Sequence, residues 1–438
     1  MLRHLARLNW WQTLLLIALL FAGFAACLAW WLGSRGDLAE SDARARGLSL
    51  PLSVAELALA PADAARTADW TRLIALGEQL KPWGDGEAAK GWTYGPGIAI
   101  PEALAAHHAA LDQAAIAETA AILGRLGDEP VNSLRELSPT IRTPDVPAVR
   151  RLLRLWCERI ALAAPEAVGA ECVTAGALLM PREPVGLLRL MATSVMAEQW
   201  AGAVMARAAD LGSGRAAVAA RATAIAGSLP VLLRTAYRTD LAVMREFLGD
   251  ADPAAVWGRL GNAGGTWSVS AWGFAVAVRA GRAKALGLMQ DVCAAQDEPA
   301  AARRHLDAAR AAEAAAGQAT LWRPGSLLPT MLLPLATPVI ANAHGSRLRL
   351  LSVAAELGGG GWPADAMDPA GGPLRKVERE GRLVGAYSLG ADGLDAGGDL
   401  KLDRCWPLHG PLGSPRAGDP PQSGAPAGTQ VERAPAAR

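Results

Sequence analysis

The sequence predicts a mainly α-helical protein: an N-terminal transmembrane helix, an exported helical bundle or array, a small C-terminal α+β module and a disordered tail. Three observations predict it. Residues 10–32 carry no charge, apolar residues recur at helical spacing through most of 63–345, and the pattern changes to glycine-rich turns and short strand-like runs after residue 358. The expected boundaries are 1–9 for a cytoplasmic N-terminus, 10–32 for the span, 33–62 for a juxtamembrane linker, 63–345 for the helical domain, 346–407 for the C-terminal module and 408–438 for the tail.

The first element follows from length and flanks. Arg3, His4 and Arg7 precede an uncharged run from Trp10 to Leu32, and Trp10, Trp11, Trp30 and Trp31 bracket it. About 20 apolar residues at 1.5 Å each cross the hydrocarbon core, and indole rings favour the interface on either side. A cleaved signal would have a shorter apolar region ending in a small-x-small site, and lipidation at Cys27 would leave the apolar run Leu28–Leu32 behind it, so an uncleaved anchor is expected. The basic N-terminus puts residues 1–9 in the cytoplasm and the main domain outside it, in the oxidising compartment that an exported chain meets. In that oxidising compartment Cys157, Cys172, Cys293 and Cys405 are candidates for disulfides. Cys157 and Cys172 suit a pair across a helical hairpin, although buried thiols without a bridge are an equal expectation.

The helical body reads as follows. Trp70, Leu73, Ile74 and Leu80 give a helix over 63–80, ended by Pro82 and the glycines up to 97; Trp83, Trp92 and Tyr94 in that break are expected to pack over helix ends. A second helix is expected over 101–126. Its His107 and His108 are adjacent, so they diverge by about 100° and do not form an i, i+4 metal pair. A third begins near Asp145 with Pro147 close inside, and Val149, Leu152, Leu153, Trp156 and Ile160 form its core face. Further helices are expected over 183–211 and 216–249, the latter divided by Pro230, and over 299–317. The glycines at 261–265 lack phosphate-loop spacing. Residues 326–341 are apolar but hold Pro329, Pro334 and Pro338, which argues for an irregular buried segment over a second span.

The C-terminal module should contain a helix over 347–357, then Gly360-Gly361-Trp362-Pro363, strands at 374–377 and 383–388, and the acidic loop Tyr387–Asp399. Asp392, Asp395 and Asp399 lie 3 and 4 residues apart in that loop, a spacing with which carboxylates can wrap a hard cation; Asp residues capping glycine turns are the alternative. The order of helix, Gly-Gly-Trp-Pro, Asp368-Pro369, Gly372-Pro373, two strands, acidic loop and Trp406 resembles the C-terminal part of the type II secretion major pseudopilin. The chain also resembles a group of bacterial membrane-anchored helical proteins. The pseudopilin resemblance implies calcium on the Leu389 carbonyl and Asp392, with Asp399 or Asp403 completing the set. It does not extend to the N-terminus, because Asn9-Trp10-Trp11-Gln12-Thr13-Leu14 lacks the glycine and glutamate of a pseudopilin processing site, so assembly into a fibre is not expected.

The 43 basic and 42 acidic residues balance to +1, which gives no field for nucleic acid. H-E-x-x-H, G-x-S-x-G, S-x-x-K and Walker sequences are absent. The leading expectation is therefore a single-pass envelope scaffold that binds another envelope protein. The alternative is a hydrolase of glycan or peptide using Glu158, Glu171 or Glu198 in a helical cleft, which needs two carboxylates about 5–9.5 Å apart.

Overall fold

The computed structural model describes residues 63–80, 95–127, 145–180, 186–249, 302–317, 336–368, 370–379, 382–389, 394–398 and 403–409. It also describes two-residue strands at 131–132 and 182–183, position 412, and scattered positions between 10 and 41 that include the run 18–24. The protein is mainly helical with one small three-stranded sheet. Trp83, Trp92, Tyr94, the glycines at 261–265 and Cys293 lie outside the described residues.

Helix α1 spans Ala64–Gln79 and starts where Asp63 accepts hydrogen bonds from the N–H groups of Ala65 and Arg66 at 2.8 and 3.2 Å. Trp70, Leu73 and Leu76 face the core. The single helix expected over 101–126 is instead two, α2 (Glu102–Ala109) and α3 (Gln113–Leu126). Asp112 explains the break: its carboxylate accepts from Ala114 and Ala115 N–H at 2.9 and 3.2 Å, so it caps a new helix instead of continuing the old one. Helix α4 (Asp145–Leu162) starts where the sequence placed it, and its Asp145 is buried in an ion pair with Arg189. Helix α5 (Pro165–Ala177) opens on proline at its first position, where the missing N–H removes no helical bond.

Between these elements, strand β1 (Val131–Asn132) pairs in parallel with β2 (Arg182–Glu183). Helix α6 (Leu187–Ala206) follows, then α7 (Arg215–Gly249), α8 (Ala302–Gly317) and α9 (Ala336–Gly358). Pro230 does not divide α7. A proline inside a helix costs about 3 kcal/mol, and here Leu229, Leu232 and Leu233 are buried around it, enough apolar area to offset that cost. Helix α9 begins at Ala336 and so takes in the end of the segment expected to be irregular; Pro338 sits in its first turn, where proline is tolerated. The helix also runs across the expected boundary at 345/346, because its face is packed on α6, α7 and α8.

The core lies where α4, α5, α6, α7 and α9 meet. The stretch Gly212–Thr239 is long and apolar enough to cross a membrane, and 39% of its most apolar window is buried within the bundle. Two arginines close helix ends. Arg207 donates to the carbonyls of Ile160, Ala161 and Ala163 at the end of α4, and Arg215 donates to those of Glu356 and Leu357 at the end of α9.

The sheet is antiparallel in the order β3 (Arg375–Arg379), β4 (Arg382–Ser388), β5 (Arg404–Pro407). The two expected strands are present, and β5 is a third that the sequence reading missed. The sheet docks on α9 through polar contacts: Arg404 Nη1 donates to the Ala341 carbonyl at 2.8 Å, Trp406 Nε1 to Ser352 Oγ at 2.8 Å, and His409 Nε2 meets Glu356 Oε1 at 2.9 Å. Gly345 admits Arg404, since a Cβ there would lie 1.9 Å from its Nε.

Close packing of α1 on α4 gives a test. A Cβ at Gly77 would sit 2.8 Å from both the carbonyl oxygen and the Cβ of Ala148, whereas one at Gly124 would meet nothing within 4 Å. Gly77→Ala should destabilise the protein by about 1–3 kcal/mol through overpacking. Gly124→Ala should stabilise it by up to about 1 kcal/mol through helix propensity, and urea denaturation of the two variants distinguishes the effects.

Candidate functional site

The residues expected to carry chemistry converge most closely at the C-terminal sheet, around a cation that belongs to the chain itself. After α9 the backbone makes a tight turn in which Asp365 N–H donates to the Gly372 carbonyl at 2.8 Å and Gly371 N–H to the Asp368 carbonyl at 3.0 Å. Gly371 has φ 69°, a left-handed conformation that glycine adopts without strain. The turn aims Asp365 and Asp368 at the start of β3. Register supplies the rest, because Arg375 on β3 lies directly opposite Tyr387 on β4.

Arg375 is enclosed by three carboxylates. Its Nε donates to Asp395 Oδ2 at 2.8 Å, its Nη2 donates to Asp368 Oδ2 at 3.0 Å, and its Nη1 lies 3.6 Å from Asp365 Oδ2. Burial works to lower the guanidinium pKa, but the hydrogen bond to Asp368 and the charges of Asp395 and Asp368 outweigh it and raise the value. Tyr387 donates its phenolic hydroxyl to Asp395 Oδ1 at 3.1 Å. Burial first, and then the Asp395 charge, push that phenol above its usual range.

Asp365 is the most enclosed of the three, with a side chain that is 0% exposed. Its Oδ1 accepts from Ser388 Oγ at 2.7 Å and Met367 N–H at 2.9 Å, and its Oδ2 accepts from Leu389 N–H at 3.0 Å. It therefore joins the turn, the end of β4 and the arginine in one network. A buried carboxylate is tolerated only with this density of donors.

The expected calcium set is distributed differently. Asp392 and Asp399 lie outside the described residues. Asp395 gives one oxygen to Arg375 and the other to Tyr387 and to Gly397 N–H at 2.9 Å. Asp403 Oδ2 accepts from Gly398 N–H at 2.8 Å, and Leu389 enters the network through its N–H. These described donors do not fit a metal ion well, since the oxygens of Asp395 are already held by internal donors and a guanidinium supplies the counter-charge. Among the described residues no group of three or more His, Cys, Asp or Glu side chains is arranged to hold a metal.

Each of the three glutamates considered for hydrolysis stands beside an arginine. Glu171 is paired with Arg159, Glu198 with Arg404 and Ser346 Oγ, and Glu158 lies 3.5 Å from Arg154 Nε. A groove of about 290 Å³ between α1, α3 and α4 is floored by Leu76, Ile116, Thr119 and Leu155, and none of these glutamates lines it. His107 and His108 sit on α2 without chelating geometry; burial, together with the Arg159 charge, pushes His108 below the usual imidazole range.

Asp365, Asp368 and Arg375 were not singled out from the sequence as a unit. One signal was present, the alternation that puts Arg375 and Tyr387 on the same face of two adjacent strands; the turn that brings the aspartates to that face is tertiary. No protein-family model, curated protein or solved structure matches the chain.

Glu158 yields a pH-dependent test. It is 0% exposed, neither carboxylate oxygen has a hydrogen-bond partner, and burial, opposed only in part by Arg154, raises its pKa to about 7. Because the folded value exceeds the ordinary 4.5, the group's contribution is fully present below pH 4.5 and is lost as pH rises to about 7. That loss is about 3 kcal/mol. Glu158→Gln should match the parent near pH 4.5 and exceed it in stability by about 1–3 kcal/mol at pH 8, read by urea denaturation at both values.

Proposed function

We propose that the chain is a single-pass membrane-anchored protein whose helical body works outside the cytoplasm as a scaffold that binds another component of the cell envelope. The observation that carries the anchor is the run 18–24, in which every residue is helical and exposed. Leu19, Leu20, Phe21 and Phe24 are 62, 66, 68 and 66% exposed, and they point in different directions around the helix. A helix that presents leucine and phenylalanine all round is matched to lipid and not to water. Trp10 and Trp31, also helical and exposed, lie about 30 Å apart along such a helix, the thickness of the hydrocarbon core.

The scaffold part of the reading is supported by the pairing of the acids. Glu171, Glu198 and Asp395, which a hydrolase or a metal site would need free, are engaged by Arg159, Arg404 and Arg375. The sheet is tied to α9 by Arg404, which also donates to the Ala341 carbonyl. This favours a rigid presenting surface over a reactive cleft. Calcium on the acidic loop is a separate proposal that rests on Asp392, Asp399 and the Leu389 carbonyl; a calorimetric titration that gives no heat would remove it.

Fractionation and protease shaving of bacterial cells expressing the full chain test the anchor and its orientation. The protein should stay in the membrane pellet through an alkaline carbonate wash, and protease added to spheroplasts should digest the body. Release by carbonate would overturn the anchor, and full protection of the body would overturn its placement outside the cytoplasm.

A further inference from the structure

Helices α4 and α5 form an antiparallel hairpin joined only by Ala163 and Ala164. Cys157 lies five residues before the end of α4, and Cys172 lies seven residues after the start of α5. At 1.5 Å per residue the two stand about 8 and 10 Å from the turn, at nearly the same height. Both side chains are wholly buried in the core where the helices pack, and both are free thiols in this structure. The Cys172 thiol stands close enough for its charge to act on Cys157. On its other sides α5 is held close by glycine: Gly169 lies against the Gly214 backbone, and Gly176 accommodates Arg221 of α7 and Trp200 of α6. Trp200 Nε1 donates to the Cys172 carbonyl at 2.9 Å, which fixes the turn of α5 that carries the thiol. The other described cysteines are differently placed: Cys405 lies on β5 with its thiol toward the Gly398 carbonyl, and Cys27 lies in the proposed span.

We propose that Cys157 and Cys172 are a disulfide site, oxidised to a bridge that pins the α4–α5 hairpin when the body folds in an oxidising compartment. The proposal rests on the export reading for its setting and on the hairpin geometry for its pairing. The oxidant is a disulfide, supplied by a small molecule or by an exchange protein. One cysteine thiolate attacks a sulfur of that disulfide, forming a mixed disulfide and releasing the first thiolate. The second cysteine thiolate then attacks the Sγ of the first cysteine in that mixed disulfide, the Sγ–Sγ bond forms, and the oxidant's second thiolate leaves. The chain gives up two protons and two electrons, and the oxidant becomes two thiols. Burial raises both thiols, Cys172 to about 12, so the attacking thiolate is scarce in the folded core and exchange belongs to the folding chain.

The test refolds the full chain in detergent micelles in a mixture of oxidised and reduced glutathione. The product is denatured, alkylated with iodoacetamide and mapped by mass spectrometry without reduction. The expected result is a peptide pair joining Cys157 to Cys172, two hydrogens lighter than the two thiols, with a higher Tm than the reduced protein. Cys157→Ser and Cys172→Ser should each abolish the linkage, and Cys405→Ser should keep it. If the serine variants fail to refold, the map of the parent chain decides alone. Alkylation of both cysteines, or a bridge from either to Cys405, overturns the proposal. The same map on protein isolated from cells separates the two readings: thiols in the cells with a bridge after refolding would support the pair and count against export.

Discussion

The C-terminal part of the molecule depends on one buried carboxylate. Asp365 is sealed from solvent and holds three donors, Met367 N–H, Ser388 Oγ and Leu389 N–H, while facing Arg375. A carboxylate in that position would be severely destabilising without partners, and its partners would be unsatisfied without it. The turn after α9, the end of β4 and the guanidinium on β3 therefore form together or not at all. Arg375 passes the constraint on to Asp368 and Asp395, and Asp395 passes it on to Tyr387. The acidic loop is closed by an internal cation.

A second set of arginines joins this module to the helices. Arg404 reaches past Gly345 to the Ala341 carbonyl and to Glu198 on α6, and Ser346 donates to the same glutamate. The sheet is thereby tied to α9 and α6 through directional bonds, with Trp406 adding an apolar ring whose N–H ends on Ser352. Arg207 and Arg215 do comparable work inside the bundle by covering helix C-termini. An arginine-rich composition thus serves helix ends and element junctions, where five donors in a fixed fork satisfy several carbonyls at once.

What the sequence made legible was local. The helices expected from residue 63 and near Asp145 start there, the first capped by Asp63 and the second with Asp145 paired to Arg189, and the stripe through Leu152, Trp156 and Ile160 becomes core because its spacing suits a single face. Asp112 was read as the interior of a helix, although the same capping chemistry was present there. Pro230 and Pro338 were read as breaks, and packing or first-turn placement overrode them. Strand β5 was missed because Arg404–Pro407 is four residues long and its pairing with β4 is long-range. At the site, Asp395 was legible as an acidic loop residue. Its partner was not, because Arg375 is 20 residues away and reaches it through strand register.

Asp365 thus holds the C-terminal module as one cooperative unit. Hydrogen exchange of the full chain, compared between the parent and Asp365→Ala, measures it most directly. Amides in β3 and β4 should lose at least about a hundredfold in protection, equivalent to ~2.7 kcal/mol, as the orphaned donors open the module, while α4 to α6 keep theirs. Unchanged protection across β3 and β4 would contradict it.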